Sequence, residues 1–74
     1  MMTMGMIWQD ASKKALAEKV VAATAYYRKK YGVTANTVYI NQRVFTYEAI
    51  ERVGEVTVRG ARFILPNDLW IGEE

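Results

Sequence analysis

Residues 10–31 read DASKKALAEKVVAATAYYRKKY and are closed by Gly32. Leu16, Val20, Ala23, Tyr27 and Tyr31 recur at steps of three and four, the spacing of one face of an α-helix, and this stripe is expected to face the core. Asp10 or Ser12 offers a side-chain oxygen to an unpaired N–H at the helix start. Gly32 supplies the left-handed residue that ends the helix. The middle of the segment, VVAATAYY, carries no charge for two turns. Val21, Ala22, Ala25 and Tyr26 therefore extend the apolar surface beyond the core stripe, and a helix apolar on more than one face is covered on more than one face. One sheet can cover one side only. The second side, with Trp8 and Trp70, is the expected interface, and Ala22 and Ala25 would admit another helix closely.

Working outward, Thr37–Asn41 (TVYIN) is β-branched and aromatic and suits a strand, with Val38 and Ile40 on one face and Tyr39 on the other. A short helix is expected from Thr46 as N-cap, with Phe45 placed to pack on Ile50 and Gly54 at its end. Residues 55–59 and 62–66 flank Gly60–Ala61, whose glycine suits a two-residue hairpin turn. That register sets Arg59 across from Arg62 and puts Val56, Val58, Phe63 and Leu65 on one face. Residues 68–72 (DLWIG) read as a last short strand with Leu69 and Ile71 opposed to Trp70. The expected fold is α+β in two layers: one long N-terminal helix on a three- or four-stranded, mostly antiparallel sheet, plus a short second helix. The connection between the first strand and the hairpin is long enough for a parallel crossover, and an antiparallel arrangement fits as well. Residues 1–74 read as a single domain, with residues 1–8 an N-terminal arm. Trp8 in that arm either folds over the first helical turn or reaches a neighbouring subunit.

The totals limit what such a chain can be. A 74-residue chain buries only about 60–65% of its unfolded surface, and chains this small often add disulfides, a structural metal or self-association. With no Cys and no His, disulfides and the common zinc sites are excluded. Half the residues are hydrophobic, which points to a homodimer or another homo-oligomer. No apolar run approaches the roughly 18 residues of a membrane span, and the first ten residues do not read as a secretory signal, so a cytoplasmic protein is expected.

Chemistry has little raw material. Ser12 is the single serine and reads as a helix cap, with no Cys or His to form a dyad or triad. Glu48 and Glu51 fall on a solvated helix face beside Arg52, and Asn41, Gln42 and Arg43 form the one polar cluster that could line a pocket. The glycines do not fall into a phosphate-binding spacing. No catalytic, cofactor or metal residue is therefore assigned, and an enzyme is not expected. Two basic sites remain: Arg28, Lys29 and Lys30 among the tyrosines of the helix end, and Arg59 with Arg62. Cations in a last turn also complement the helix dipole, which explains the first site without a ligand. The leading expectation is a small module acting through protein–protein contacts or self-association. The alternative is a small nucleic-acid-binding module using the two basic sites. An accessory protein held by a larger protein partner is a third reading.

Overall fold

A computed structural model describes residues 4–74 of the chain. The elements in order are β1 (Met4–Gln9), α1 (Leu16–Tyr31), β2 (Thr37–Asn41), α2 (Gln42–Glu48), β3 (Arg52–Val53), β4 (Val56–Ala61) and β5 (Asp68–Glu73). The five strands form one sheet in the order β1-β5-β2-β4-β3. β2 and β4 pair in parallel and the other neighbours are antiparallel. This is the expected α+β class, a long helix and a short one against a mostly antiparallel sheet, with more strands than the sequence predicts.

The added strand comes from the segment expected as an arm. Residues 4–9 pair with β5 along their whole length, from Met4 opposite Glu73 to Gln9 opposite Asp68. Met6 is buried in the core and Trp8 packs against it. Residues 1–3 of the expected arm lie outside the described residues. β5 lies between β1 and β2, so the C-terminal segment is the strand that joins the N-terminal strand to the rest. Leu69 and Ile71 of β5 lie beside Trp8 and Met6 on one side and beside Ile40 and Val38 on the other. All alternate toward α1, whose Leu16, Val20, Ala23 and Tyr27 are buried against them. Fully burying a side chain of the Val/Leu/Ile kind contributes about 1.5–3 kcal/mol, so this layer holds the fold together.

The helix begins later than expected. Asp10 Oδ1 accepts from the Ser12 N–H at 2.9 Å and Ser12 Oγ from the Lys14 N–H at 3.4 Å, so both residues close turns before the helix instead of capping it. Ala15 stands at the N-cap without a side-chain bond. At the other end Gly32 is left-handed (φ 75°) and its N–H donates to Arg28 O at 2.8 Å, as the sequence predicts. Tyr31, assigned to the core stripe, is 38% exposed; it leans on Tyr27 with ring centroids 4.7 Å apart.

α2 also starts at a different residue. Asn41 caps it, its Oδ1 accepting from the N–H groups of Arg43 (3.0 Å) and Val44 (3.3 Å). Thr46 instead turns its hydroxyl back to Gln42 O at 3.0 Å, and the helix ends at left-handed Ala49. The expected hairpin about Gly60–Ala61 does not form. Gly60 lies inside β4, opposite Ile40 of β2, because a parallel partner lets β4 run on to Ala61. The tight reversal is one turn earlier: Gly54 (φ 60°) joins β3 to β4, with Val53 opposite Val56. Arg59 therefore lies beside Tyr39 and not across from Arg62. Residues 62–67 form a connecting loop in which Ile64 is buried, while Phe63 and Leu65 are 66% and 65% exposed.

Val56 and Val58 keep the core face expected of them, whereas the expected faces of residues 63–65 are inverted, and this is directly testable. Ile64→Ala is expected to destabilise the protein by about 2–5 kcal/mol, and Leu65→Ala to lie within about 0.5 kcal/mol of wild type, both read from urea denaturation. The opposite order would restore the hairpin.

Candidate functional site

The helix covers one face of the sheet, and the strand alternation that sends Leu69, Ile71, Val38 and Ile40 toward it sends their neighbours the other way. Across the open face the register forms a row: Ile7 beside Trp70, Trp70 beside Tyr39, Tyr39 beside Arg59. Phe63 reaches over this row from the loop after β4. Its ring meets Trp70 edge-on at 5.4 Å and lies 6.4 Å from Tyr39. Trp70 and Tyr39 are half-buried by these contacts, whereas Phe63 and Ile7 (59%) are largely exposed. Aromatic pairs in such tilted or edge-on arrangements contribute about 0.5–1.5 kcal/mol beyond the area they bury. The cluster is thus a formed surface, apolar and still open to solvent.

Its polar border is set by Glu74. The carboxylate accepts from the Tyr39 hydroxyl and pairs with Arg59, Nε to Oε1 3.1 Å. The Tyr39 hydrogen bond, aided by Arg59, holds the Glu74 carboxyl below the usual carboxylate range, and the same bond raises the Tyr39 phenol. The Asn36 side chain grips the Glu74 backbone in both directions, Oδ1 accepting from its N–H at 2.9 Å and Nδ2 donating to its carbonyl at 3.1 Å. Asn36 thereby keeps the end of β5 in line.

The sequence-assigned interface residues do not form one surface. Trp70 belongs to the open sheet face. Trp8 points to the helix side and lies against Tyr26, centroids 5.1 Å apart; its indole Nε1 is buried without a hydrogen-bond partner among the described residues. The helix residues divide by their 100° steps. Tyr26 leans toward β1, Ala22 stands near the outer crest, and Val21 and Ala25 face the opposite flank. There they line a shallow apolar groove with Val53 and Val56. The sequence missed Phe63, Ile7, Leu65 and Glu74 as surface groups. The alternation of TVYIN and DLWIG did place Tyr39 and Trp70 opposite the core residues.

The basic sites are likewise separated. α1 ends beside the start of β2, whereas Arg62 follows Ala61, which lies opposite the last residue of β2. Arg28, Lys29 and Lys30 thus occupy the opposite end of the sheet from Arg62. Arg28 Nη1 donates to Thr34 Oγ1 at 3.4 Å, and Lys30 sits over the Tyr31 ring at 5.4 Å. Arg59 is engaged by Glu74. Among the described residues, no group of three or more acidic side chains could hold a metal, and no helix is long and apolar enough to cross a membrane. No protein-family model, characterised protein or solved structure matches this chain.

One buried pair links the core to the solvent pH. Tyr27 is fully buried and its hydroxyl donates to Glu73 Oε2 at 2.9 Å. Burial first, and the carboxylate second, push its pKa from 10.0 up to about 12. The unfolded chain releases this proton near pH 10.0 and the folded chain retains it to about 12. The resulting stability is full below the lower value and is lost as pH rises through the higher one. The urea midpoint of the wild type is expected to fall between those two values, and Tyr27→Phe to show a shallower decline. Equal slopes would contradict the buried-phenol account.

Proposed function

We propose that the chain is a small, non-enzymatic interaction module that works in the cytoplasm by burying the open face of its sheet against another protein, and that it self-associates through a separate surface. The observation that carries the reading is the cluster of Phe63, Trp70 and Tyr39 with Ile7, a formed aromatic surface with no layer over it among the described residues. Protein contact sites are enriched in aromatic residues and Arg and depleted in other charges at their centre, and contiguous exposed apolar patches mark such sites. The absence of Cys and His supports the non-enzymatic part, since it removes the commonest nucleophile and acid–base pairs.

A second reading is favoured by the same rings: aromatics on an open sheet can stack on the bases of a single strand. Against it, Arg59 is held by Glu74, and the remaining cations lie at opposite ends of the strands. Protein contact is therefore the better account.

The test is site-specific photo-crosslinking in cells, with a photoreactive residue replacing Phe63, or Ser12 as an exposed control. A discrete protein adduct at position 63 and none at position 12 is the expected result. An adduct that disappears on nuclease treatment would favour the nucleic-acid reading, and equal labelling at both positions would overturn both.

A further inference from the structure

The two edges of the sheet differ. On one side the edge strand is β3, only two residues long, extended by the Val58 N–H donating to Glu51 O at 2.9 Å; short edges resist further pairing. On the other side β1 is six residues long, MGMIWQ, with no charge and no proline, and among the described residues no strand pairs with its outer edge. Which backbone groups it offers follows from one hydrogen bond. Asp10 N–H donates to Asn67 O at 3.0 Å, continuing the β1–β5 ladder. In an antiparallel pair, alternate residues bond to the same neighbour, so Met6 and Trp8 bond to β5 and Gly5, Ile7 and Gln9 turn their N–H and C=O groups outward.

We propose that β1 pairs antiparallel with β1 of a second copy of this chain, about a twofold axis through Ile7, joining two five-stranded sheets into one. The proposal rests on the self-association part of the reading above and assigns its surface. In this register Ile7 exchanges both hydrogen bonds with its own counterpart, and Gly5 exchanges them with Gln9 of the second copy. Every outward backbone group of the three residues is satisfied reciprocally, as an isologous contact requires. The side chains suit the register. Small Gly5 faces long Gln9, Ile7 faces Ile7, and Met6 faces Trp8 in the pairs where side chains come closest, a favourable sulfur–aromatic combination. No like charges meet.

The layer above agrees. α1 packs over β5, one strand in from the edge. The two helices would then lie three strand spacings apart, roughly 14 Å. That is wider than the 8–10 Å of directly packed helices. Tyr26, 47% exposed and resting on Trp8 toward this side, is the residue available to fill the gap. The twofold also sets the helices antiparallel, so that the basic end of each lies level with the start of the other, the favourable arrangement of their dipoles.

The experiment measures the solution mass of the full chain by light scattering at tens of micromolar, with Ile7→Pro, Ile7→Lys and Phe63→Ser alongside. Proline at position 7 removes only an outward N–H and spares the β1–β5 ladder. The wild type and Phe63→Ser are expected at twice the chain mass, and both Ile7 variants at once the chain mass with unchanged circular dichroism. In case either Ile7 variant fails to fold, amide exchange of the wild type gives an independent readout. The Gly5, Ile7 and Gln9 amides should gain protection together as concentration rises. A monomeric wild type would overturn self-association itself. A wild-type dimer that persists in the folded Ile7 variants, that Phe63→Ser dissociates, or that leaves these three amides unprotected would overturn the β1 assignment alone.

Discussion

The structure depends on the burial of Leu69 and Ile71 in β5 between β1 and β2 and beneath α1. These two side chains are 3% and 0% exposed, and in register they lie beside Met6 and Trp8 on one side and Val38 and Ile40 on the other. Without them β1 has no neighbour, and α1 loses the middle of the surface that covers Val20, Ala23 and Tyr27. β1 and β5 thus enter the core through one pairing. A chain with no disulfide is thereby closed by non-covalent contacts between its first and last strands.

That arrangement decides which surfaces remain. Placing β5 centrally makes β1 an edge and lines up Ile7, Trp70, Tyr39 and Arg59 on the face away from the helix. Among the described residues one long helix is available for a five-stranded sheet, and no layer covers the second face. Phe63 and Glu74 partly order it. The apolar flanks of α1 are a consequence of the same shortage of layers, and the tilt of Tyr26 toward β1 and of Val21 and Ala25 toward β3 divides them between two sides.

Much of this was legible in the sequence where one physical rule acts alone. The 3.6-residue period located Leu16, Val20, Ala23 and Tyr27, the need for a left-handed residue located the helix end at Gly32, and alternation set Val38 and Ile40 against Tyr39, and Leu69 and Ile71 against Trp70. Where two local solutions compete, tertiary pairing chose. Gly60 and Gly54 both suit a reversal; the parallel partner offered by β2 keeps β4 extended through Gly60 and leaves the turn to Gly54. Asn41 and Thr46 both suit a cap, and the earlier one wins because α2 follows β2 without a linker. β1 was hidden because Ile7 breaks the polar–apolar alternation: an apolar residue stands on the open face, where polar side chains are the usual sign of a strand. The hairpin pattern puts Phe63 on the core face, whereas the aromatic surface arises from the 62–67 loop folding over β2 and β5, a tertiary contact that no local pattern encodes.

The most direct test of the central role of β5 is native-state hydrogen exchange at low denaturant. The Leu69 and Ile71 amides, which face β1, and the Trp70 and Gly72 amides, which face β2, should exchange only through global unfolding. Both sets should then give the same free energy as urea denaturation. If the β1-facing amides exchange through a smaller opening while the β2-facing set remains protected, β1 is a loosely attached strand and β5 does not hold the two ends of the chain together.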